Sequence, residues 1–143
     1  MGTSSRLATQ IDHEMLMAHH VTIAASSILN SALPQRPGLD VAKELGDRYL
    51  LRYLLPHQVG AYTSGSTDPH WVTPTAYSPE DTVSWLALPA PRSPRPYVLL
   101  LKPDAIPSIW GPRWVRFGGG IEYYLPQGFP AAALAFPWEV AVR

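Results

Sequence analysis

The sequence predicts an α+β fold: a helical N-terminal segment and linker, residues 1–38, ahead of a domain with a mostly antiparallel β core, residues 39–143. Three observations carry this reading. Residues 4–32 hold no Pro or Gly and repeat apolar side chains at helical spacing. From residue 48 onward the chain breaks into short runs rich in Leu, Val, Tyr and Trp. Those runs are divided by turns bearing Pro or Gly, which is how strands of a compact sheet are punctuated.

In the first segment Leu7, Ile11, Met15, Ala18, Thr22, Ala25 and Leu29 recur at steps of three and four, one stripe of an amphipathic helix. Thr3, Ser4 or Ser5 can cap its start, and Asn30-Ser31 followed by Pro34 ends it. Residues 33–38 read as a linker, after which Asp40 can cap a short second helix that Gly46 stops. Residues 48–55 alternate Tyr49, Leu51, Tyr53 and Leu55 with Leu50, Arg52 and Leu54. The spacing of Leu45, Tyr49 and Tyr53 also allows a helix, but the Tyr and Leu content and the closing Pro56 favour a strand. Residues 60–68 form a polar loop, and residues 70–75 a short extended segment interrupted by Pro74. Ser78-Pro79-Glu80-Asp81 is a helix start with Ser78 as cap, Pro79 at the first helical position and Asp81 able to complete a capping box. Pro89 ends that helix, and residues 90–96 form a stiff Pro-rich loop. The apolar run 97–101 reads as a central strand, followed by strands at 114–117, 121–125 and 136–142.

Composition narrows the classes of function. The 143 residues, 46% hydrophobic, suffice for one compact core and not two. Eleven Lys and Arg balance eleven Asp and Glu, which argues against a general polyanion binder. No apolar run approaches the ~18 residues that span a bilayer, so no membrane partner is expected. The opening residues run into His13 and Glu14 rather than an apolar stretch, so no signal-peptide pattern is present. The absence of cysteine excludes disulfides, thiol catalysis and thiolate metal sites. His13-Glu14 begins like a zinc-protease helix, but Met17 stands where the second ligand belongs. The adjacent His19 and His20 would point about 100° apart on a helix, so no metal is expected.

A few residues ask for a chemical reason. Glu122 lies in an apolar-aromatic strand, where an unpaired charge costs several kcal/mol, so it is salt-bridged to Arg52, Arg113 or Arg116, exposed at an edge, or functional. Arg52 among Leu and Tyr either snorkels or offers a fork to a carboxylate or phosphate. Thr73 and Thr75 between Trp71 and Tyr77 are ordinary strand formers or ligand contacts. Gly118-Gly119-Gly120 lacks the Lys-Ser/Thr of a phosphate loop and leads into a strand, so it marks a bulge or a close backbone approach.

Taken in order, these features resemble a known plan. An Arg in a first strand (Tyr49-Leu50-Leu51-Arg52-Tyr53) precedes a hydroxyl-bearing strand and a capped helix (Val72-Thr73-Pro74-Thr75-Ala76-Tyr77-Ser78-Pro79). A central apolar strand and then Gly118-Gly119-Gly120-Ile121-Glu122-Tyr123 follow. The order resembles the Arg–Ser/Thr–Glu plan of ADP-ribosyltransferase-like toxins, bacterial polymorphic-toxin modules and the tuberculosis necrotizing toxin type of NAD glycohydrolase. It covers residues 48–143, about two-thirds of the chain.

The resemblance implies a split antiparallel core and an activity that cleaves the nicotinamide–ribose bond of NAD. ADP-ribose would then pass to a protein or nucleic-acid acceptor, or to water. It implies that Arg52, or Arg48 four residues earlier, holds the diphosphate or the nicotinamide ribose side. Thr73 or Thr75 would orient the first strand and the acid, Glu122 would be the catalytic acid, and Tyr77 or Trp71 would stack on nicotinamide. NAD enters as a substrate, with no metal. It further implies a secreted or injected effector, the C-terminal part of a longer protein, that acts in the target-cell cytoplasm and is blocked by a cognate immunity protein. Gly120 stands two places before Glu122, where arginine-specific transferases carry an acid or Gln, so arginine is not the acceptor implied. Necrotizing-toxin members carry Gln where this chain has Glu122. The competing class is a non-catalytic interaction module that uses the loop at residues 91–96.

Overall fold

The computed structural model describes residues 8–17, 35–46, 48–88, 93–115 and 117–143. Its elements in chain order are β1 (Ala8–Ile11), α1 (His13–Met17), α2 (Gly38–Leu45), β2 (Leu50–Leu54), β3 (Gly65–Ser66), β4 (His70–Val72), α3 (Asp81–Trp85), β5 (Tyr97–Leu101), β6 (Trp110–Trp114), β7 (Ile121–Leu125), β8 (Phe129–Pro130) and β9 (Leu134–Val142). The class is mixed α+β, and every strand pairing is antiparallel except that of β1 with β9.

Two sheets make the core. The larger has the order β1-β9-β5-β2 and the smaller β4-β7-β6, with β3 and β8 a separate ribbon. The larger sheet is apolar on both faces. Leu50, Leu54, Leu99 and Leu101 pack with α2 and with Val72, Tyr123 and Leu125 of the smaller sheet. Leu51, Tyr53, Val98, Leu100, Val140 and Val142 pack with Leu16 of α1 and Ala76. That double burial is why β2 and β5 read as nearly continuous apolar runs. The smaller sheet is buried on one side only: Tyr123 and Leu125 are inaccessible, while Trp71 and Trp110 of its other face are exposed.

The N-terminal expectation needs correction. Residues 8–11 are a strand, not helix, and pair in parallel with Glu139 to Val142 of β9. The otherwise unpaired edge of β9 supplies a ladder that outweighs the helical spacing of Ile11 and Met15, as tertiary context routinely does. Only His13–Met17 of the expected long helix is helical among the described residues, and the remainder of that expectation lies outside them. The second helix begins at Gly38 rather than Asp40, with Pro37 in the cap position. The described end of the expected linker is tied into the sheet: Arg36 and Ile109 exchange two backbone hydrogen bonds of 2.8 and 2.9 Å. Arg36 Nη2 also donates to Glu44 and to the Gly111 carbonyl, and the Tyr123 hydroxyl donates to the same Glu44 at 2.6 Å.

Three boundaries shift as well. The strand expected at 114–117 is Trp110–Trp114, because the hairpin closes where Gly118 and Gly119 N–H groups donate to the Val115 carbonyl. Ser78 Oγ accepts the Asp81 N–H as a cap should, but regular helix starts only at Asp81 and ends at Trp85. Residues 65–66 of the expected polar loop pair with β8.

Of the three glycines, Gly118 and Gly120 serve close approach, and Gly119 takes the left-handed backbone of the turn, with φ 87°. Gly120 N–H donates to the Trp85 carbonyl at 3.0 Å, docking the hairpin on the end of α3. A Cβ at Gly120 would lie 2.7 Å from the Tyr77 hydroxyl and 2.8 Å from that carbonyl. Gly120→Ala is therefore expected to destabilise by about 1–3 kcal/mol, the usual cost of overpacking, and to lower the melting temperature by several degrees. A variant melting within a degree of the parent would show that the contact yields without cost.

Candidate functional site

The two sheets meet at one rung. Leu51 of β2 and Thr73, one residue beyond β4, form an isolated antiparallel bridge, with hydrogen bonds of 2.7 and 3.0 Å. Two side chains take over where the ladder stops. Arg52 Nη1 donates to the Trp71 carbonyl at 3.1 Å. On the other side of β4 the register Val72 opposite Tyr123 would next place Pro74 opposite Ile121. Proline has no N–H to give, and the Thr73 hydroxyl donates to the Ile121 carbonyl instead, at 2.7 Å. Thr73 Oγ1 also accepts the Thr75 N–H, and the residue is 1% exposed.

A cleft of about 520 Å³ opens beside this junction, with Arg52, Trp71, Arg95, Arg113 and Glu122 in its wall and His57 at its rim. Such a volume suits a small-molecule ligand. Three guanidinium groups face one carboxylate. Arg95 is buried, and its Nη1 donates to the Ser93 carbonyl. Burial and the nearby Arg52 charge lower its pKa, yet arginine stays protonated at any physiological pH. The Nε of Arg52 is buried and finds no partner among the described residues. Both guanidinium groups border the cavity, and a guanidinium fork can match phosphate oxygens bidentately.

Glu122 is paired. Arg113 Nε donates to its Oε1 at 2.9 Å across the β6–β7 register. Burial raises the Glu122 pKa, and the hydrogen bond and charge of Arg113 act the other way. The Arg113 guanidinium carbon also lies 4.0 Å from the centroid of the Trp71 ring, a cation–π contact.

The sequence-derived candidates divide accordingly. Arg52, Trp71 and Glu122 come together in the cleft wall, and Thr73 lines a smaller recess of about 30 Å³ that adjoins it. Arg48 precedes β2, which leaves Arg52 as the arginine within the strand. Thr75 and Tyr77 stand outside the cleft wall. Thr75 is buried and hydrogen-bonded to the Tyr77 side chain, and the Tyr77 ring stacks on Trp85 with centroids 6.2 Å apart. Among the expected partners of Glu122, Arg113 is the one found, and Arg116 lies outside the described residues. His19 and His20 also lie outside them. Sequence reasoning missed Arg95 and treated Arg113 only as a salt-bridge partner. The run Ser93-Pro94-Arg95-Pro96, an arginine held between prolines, was the available signal for the first.

No protein-family model, curated protein or solved structure matches the chain.

His70 reports on the electrostatics behind the cleft. It is 5% exposed, with Nε2 2.9 Å from Ser66 Oγ and its ring against Tyr62 and Phe129. Burial, and then the Arg52 charge, lower its pKa from 6.5 to about 4. The unfolded chain therefore binds the extra proton between those values. The stability contributed by the neutral ring is present above pH 6.5 and lost as pH falls toward 4, about 3 kcal/mol in all. His70→Gln should flatten the decline of melting temperature between pH 7 and 4.5. Parallel declines in the two proteins would sink this assignment.

Proposed function

We propose that the protein is an NAD-consuming domain of the ADP-ribosyltransferase-like class, cleaving the nicotinamide–ribose bond and transferring ADP-ribose to a macromolecular acceptor. The observation that carries the reading is the single Leu51–Thr73 rung, which brings Arg52 and Glu122 to one cleft and Thr73 to the recess beside it, from positions 21 to 70 residues apart in sequence. The division of the core into two mostly antiparallel sheets at that rung supports the finer fold assignment, a split ADP-ribosyltransferase-like core.

In this reading Arg52, with Arg95 beside it, grips the diphosphate. Thr73 fixes the backbone on which the acid sits. Glu122 faces the nicotinamide ribose, where its carboxylate stabilises the positive charge that develops as the bond at C1′ breaks. The electron pair of that bond stays on the nicotinamide nitrogen, so the pyridinium leaves as neutral nicotinamide. The acceptor's lone pair forms the new bond to C1′, and its proton passes to solvent. The rest of the reading follows from the resemblance: a secreted or injected effector that acts in the cytoplasm of a target cell and is held in check by an immunity protein.

One observation favours water as the acceptor, that is, NAD glycohydrolase activity. The position two before Glu122 has no room for a side chain, since Gly120 packs against the Tyr77 hydroxyl and the Trp85 carbonyl. An acidic or amide group that could activate an arginine acceptor is therefore missing there.

Incubation with NAD labelled in its adenylate half separates the two outcomes: label on macromolecules means transfer, and free labelled ADP-ribose means hydrolysis. Absence of NAD consumption, with lysate supplied as acceptor, overturns both. Glu122→Gln should lower turnover by about 10²–10³-fold while NAD affinity changes little, because the charge is needed mainly in the transition state. Should turnover persist while the melting temperature drops, Glu122 serves only as the partner of Arg113. Arg52→Ala should abolish saturable NAD binding in calorimetry, and unchanged binding would remove Arg52 from the site.

A further inference from the structure

The acid that the proposed chemistry needs is engaged in the resting protein. Glu122 Oε1 holds the Arg113 Nε–H at 2.9 Å, and the same guanidinium covers the Trp71 ring at 4.0 Å. One side chain thus occupies both the carboxylate and the flat surface that a nicotinamide ribose would use. The two partners differ in freedom. Arg113 stands on the edge strand β6 with 44% of its side chain exposed, whereas the Glu122 side chain is 11% exposed on the central strand β7. Only Nε of Arg113 is hydrogen-bonded, and its terminal nitrogens have no hydrogen-bond or ion-pair partner among the described residues. They belong to a wall that already carries Arg52 and Arg95.

We propose that Arg113 is a specificity-determining residue for diphosphate-bearing substrates: a diphosphate held by Arg52 and Arg95 draws the Arg113 guanidinium off Glu122 and Trp71, which frees both for the nicotinamide ribose. This rests on the NAD-consuming reading and adds a substrate rule to it. The diphosphate carries about two negative charges against the single charge of Glu122, and it can accept the fork bidentately. A nicotinamide riboside without phosphates enters the same cleft but leaves Glu122 pinned. The diphosphate, remote from the bond that breaks, therefore contributes to kcat and not only to KM.

The test compares nicotinamide release from NAD and from nicotinamide riboside in the parent protein, Arg113→Ala and Arg113→Lys, with melting temperatures recorded for each. The parent should cleave the riboside with kcat at least roughly tenfold below that for NAD, and in Arg113→Ala the two kcat values should converge to within about threefold. Arg113→Lys keeps the charge without the Nε contact and should fall between them; it decides the matter alone if the alanine variant does not fold. Independently of turnover, inorganic pyrophosphate should change the tryptophan fluorescence of the parent saturably, and Arg113→Ala and Trp71→Phe should lose that change. A kcat ratio that stays the same in both variants, with NAD still cleaved, overturns the role of Arg113 and leaves the parent activity standing. A parent protein that releases no nicotinamide from NAD removes the activity itself, and the substrate rule with it.

Discussion

Everything at the site depends on a sheet that is joined by one rung and then parts. Leu51 and Thr73 exchange both backbone hydrogen bonds, and among the described residues pairing of the two sheets is confined to them. Had the ladder continued, the Trp71 carbonyl would have met backbone N–H, and the space beside it would be filled sheet. Instead the Arg52 guanidinium reaches that carbonyl, so the side chain must lie along the opening. The Thr73–Pro74 pair does the equivalent on the far side. Proline withholds an N–H from Ile121, and the preceding hydroxyl supplies one donor in its place. A backbone carbonyl left without a donor in a buried position costs about 1–3 kcal/mol, which bears on the part-buried Thr73–Ile121 contact more than on the exposed one between Arg52 and Trp71. The cleft is the geometric consequence of two sheets diverging from a fixed hinge line.

That divergence concentrates charge. Three arginines border a cavity with one carboxylate, in a chain whose charges balance overall. Arg113 and Glu122 offset one another, and Arg52 lies near enough to Arg95 and His70 for its charge to act on both. Neutral His70, with a pKa near 4, adds no third positive charge behind Arg52 at physiological pH.

How much of this was legible in sequence follows from what each feature depends on. The strands at 50–54, 97–101 and 121–125 were readable because burial on one or both faces writes a dense apolar run into the chain. The cap at Ser78 was readable because its donor and acceptor are three residues apart. The strand at 8–11 was not, since its partner lies some 130 residues away and its own residues fit helical spacing equally well. Arg52, Thr73 and Glu122 stood out as polar residues inside apolar runs. Arg113 did not stand out as a cleft residue, because its position depends on the β6–β7 register and on the irregularity between Trp110 and Arg113, neither of which has a local signature. Thr75 and Tyr77 were drawn toward the site by proximity to Thr73 along the chain, but three and five residues beyond the end of β4 the backbone has already turned onto Tyr53, whose hydroxyl accepts the Tyr77 N–H at 2.7 Å.

The rim of the cleft is held from behind by a residue that no motif singled out. Glu139 on β9 is inaccessible, and its Oε1 accepts the N–H of Gly60. Its Oε2 has no partner among the described residues, and burial raises its pKa. Glu139 lies opposite Leu99, which in turn lies opposite Arg52, so the three form one row across β9, β5 and β2. Gly60 closes the turn that starts at Pro56 and carries His57 and Gln58 into the cleft wall, with Gln58 Oε1 accepting the Leu55 N–H at 2.8 Å. A half-satisfied carboxylate buried beside Leu99 is costly, and an apolar residue of the same size would pack there at less cost. What an apolar residue could not supply is the acceptor for Gly60. The same row of the large sheet that presents Arg52 to the cleft at one end thus secures, at its other end, the turn that contributes His57 and Gln58 to the cleft wall.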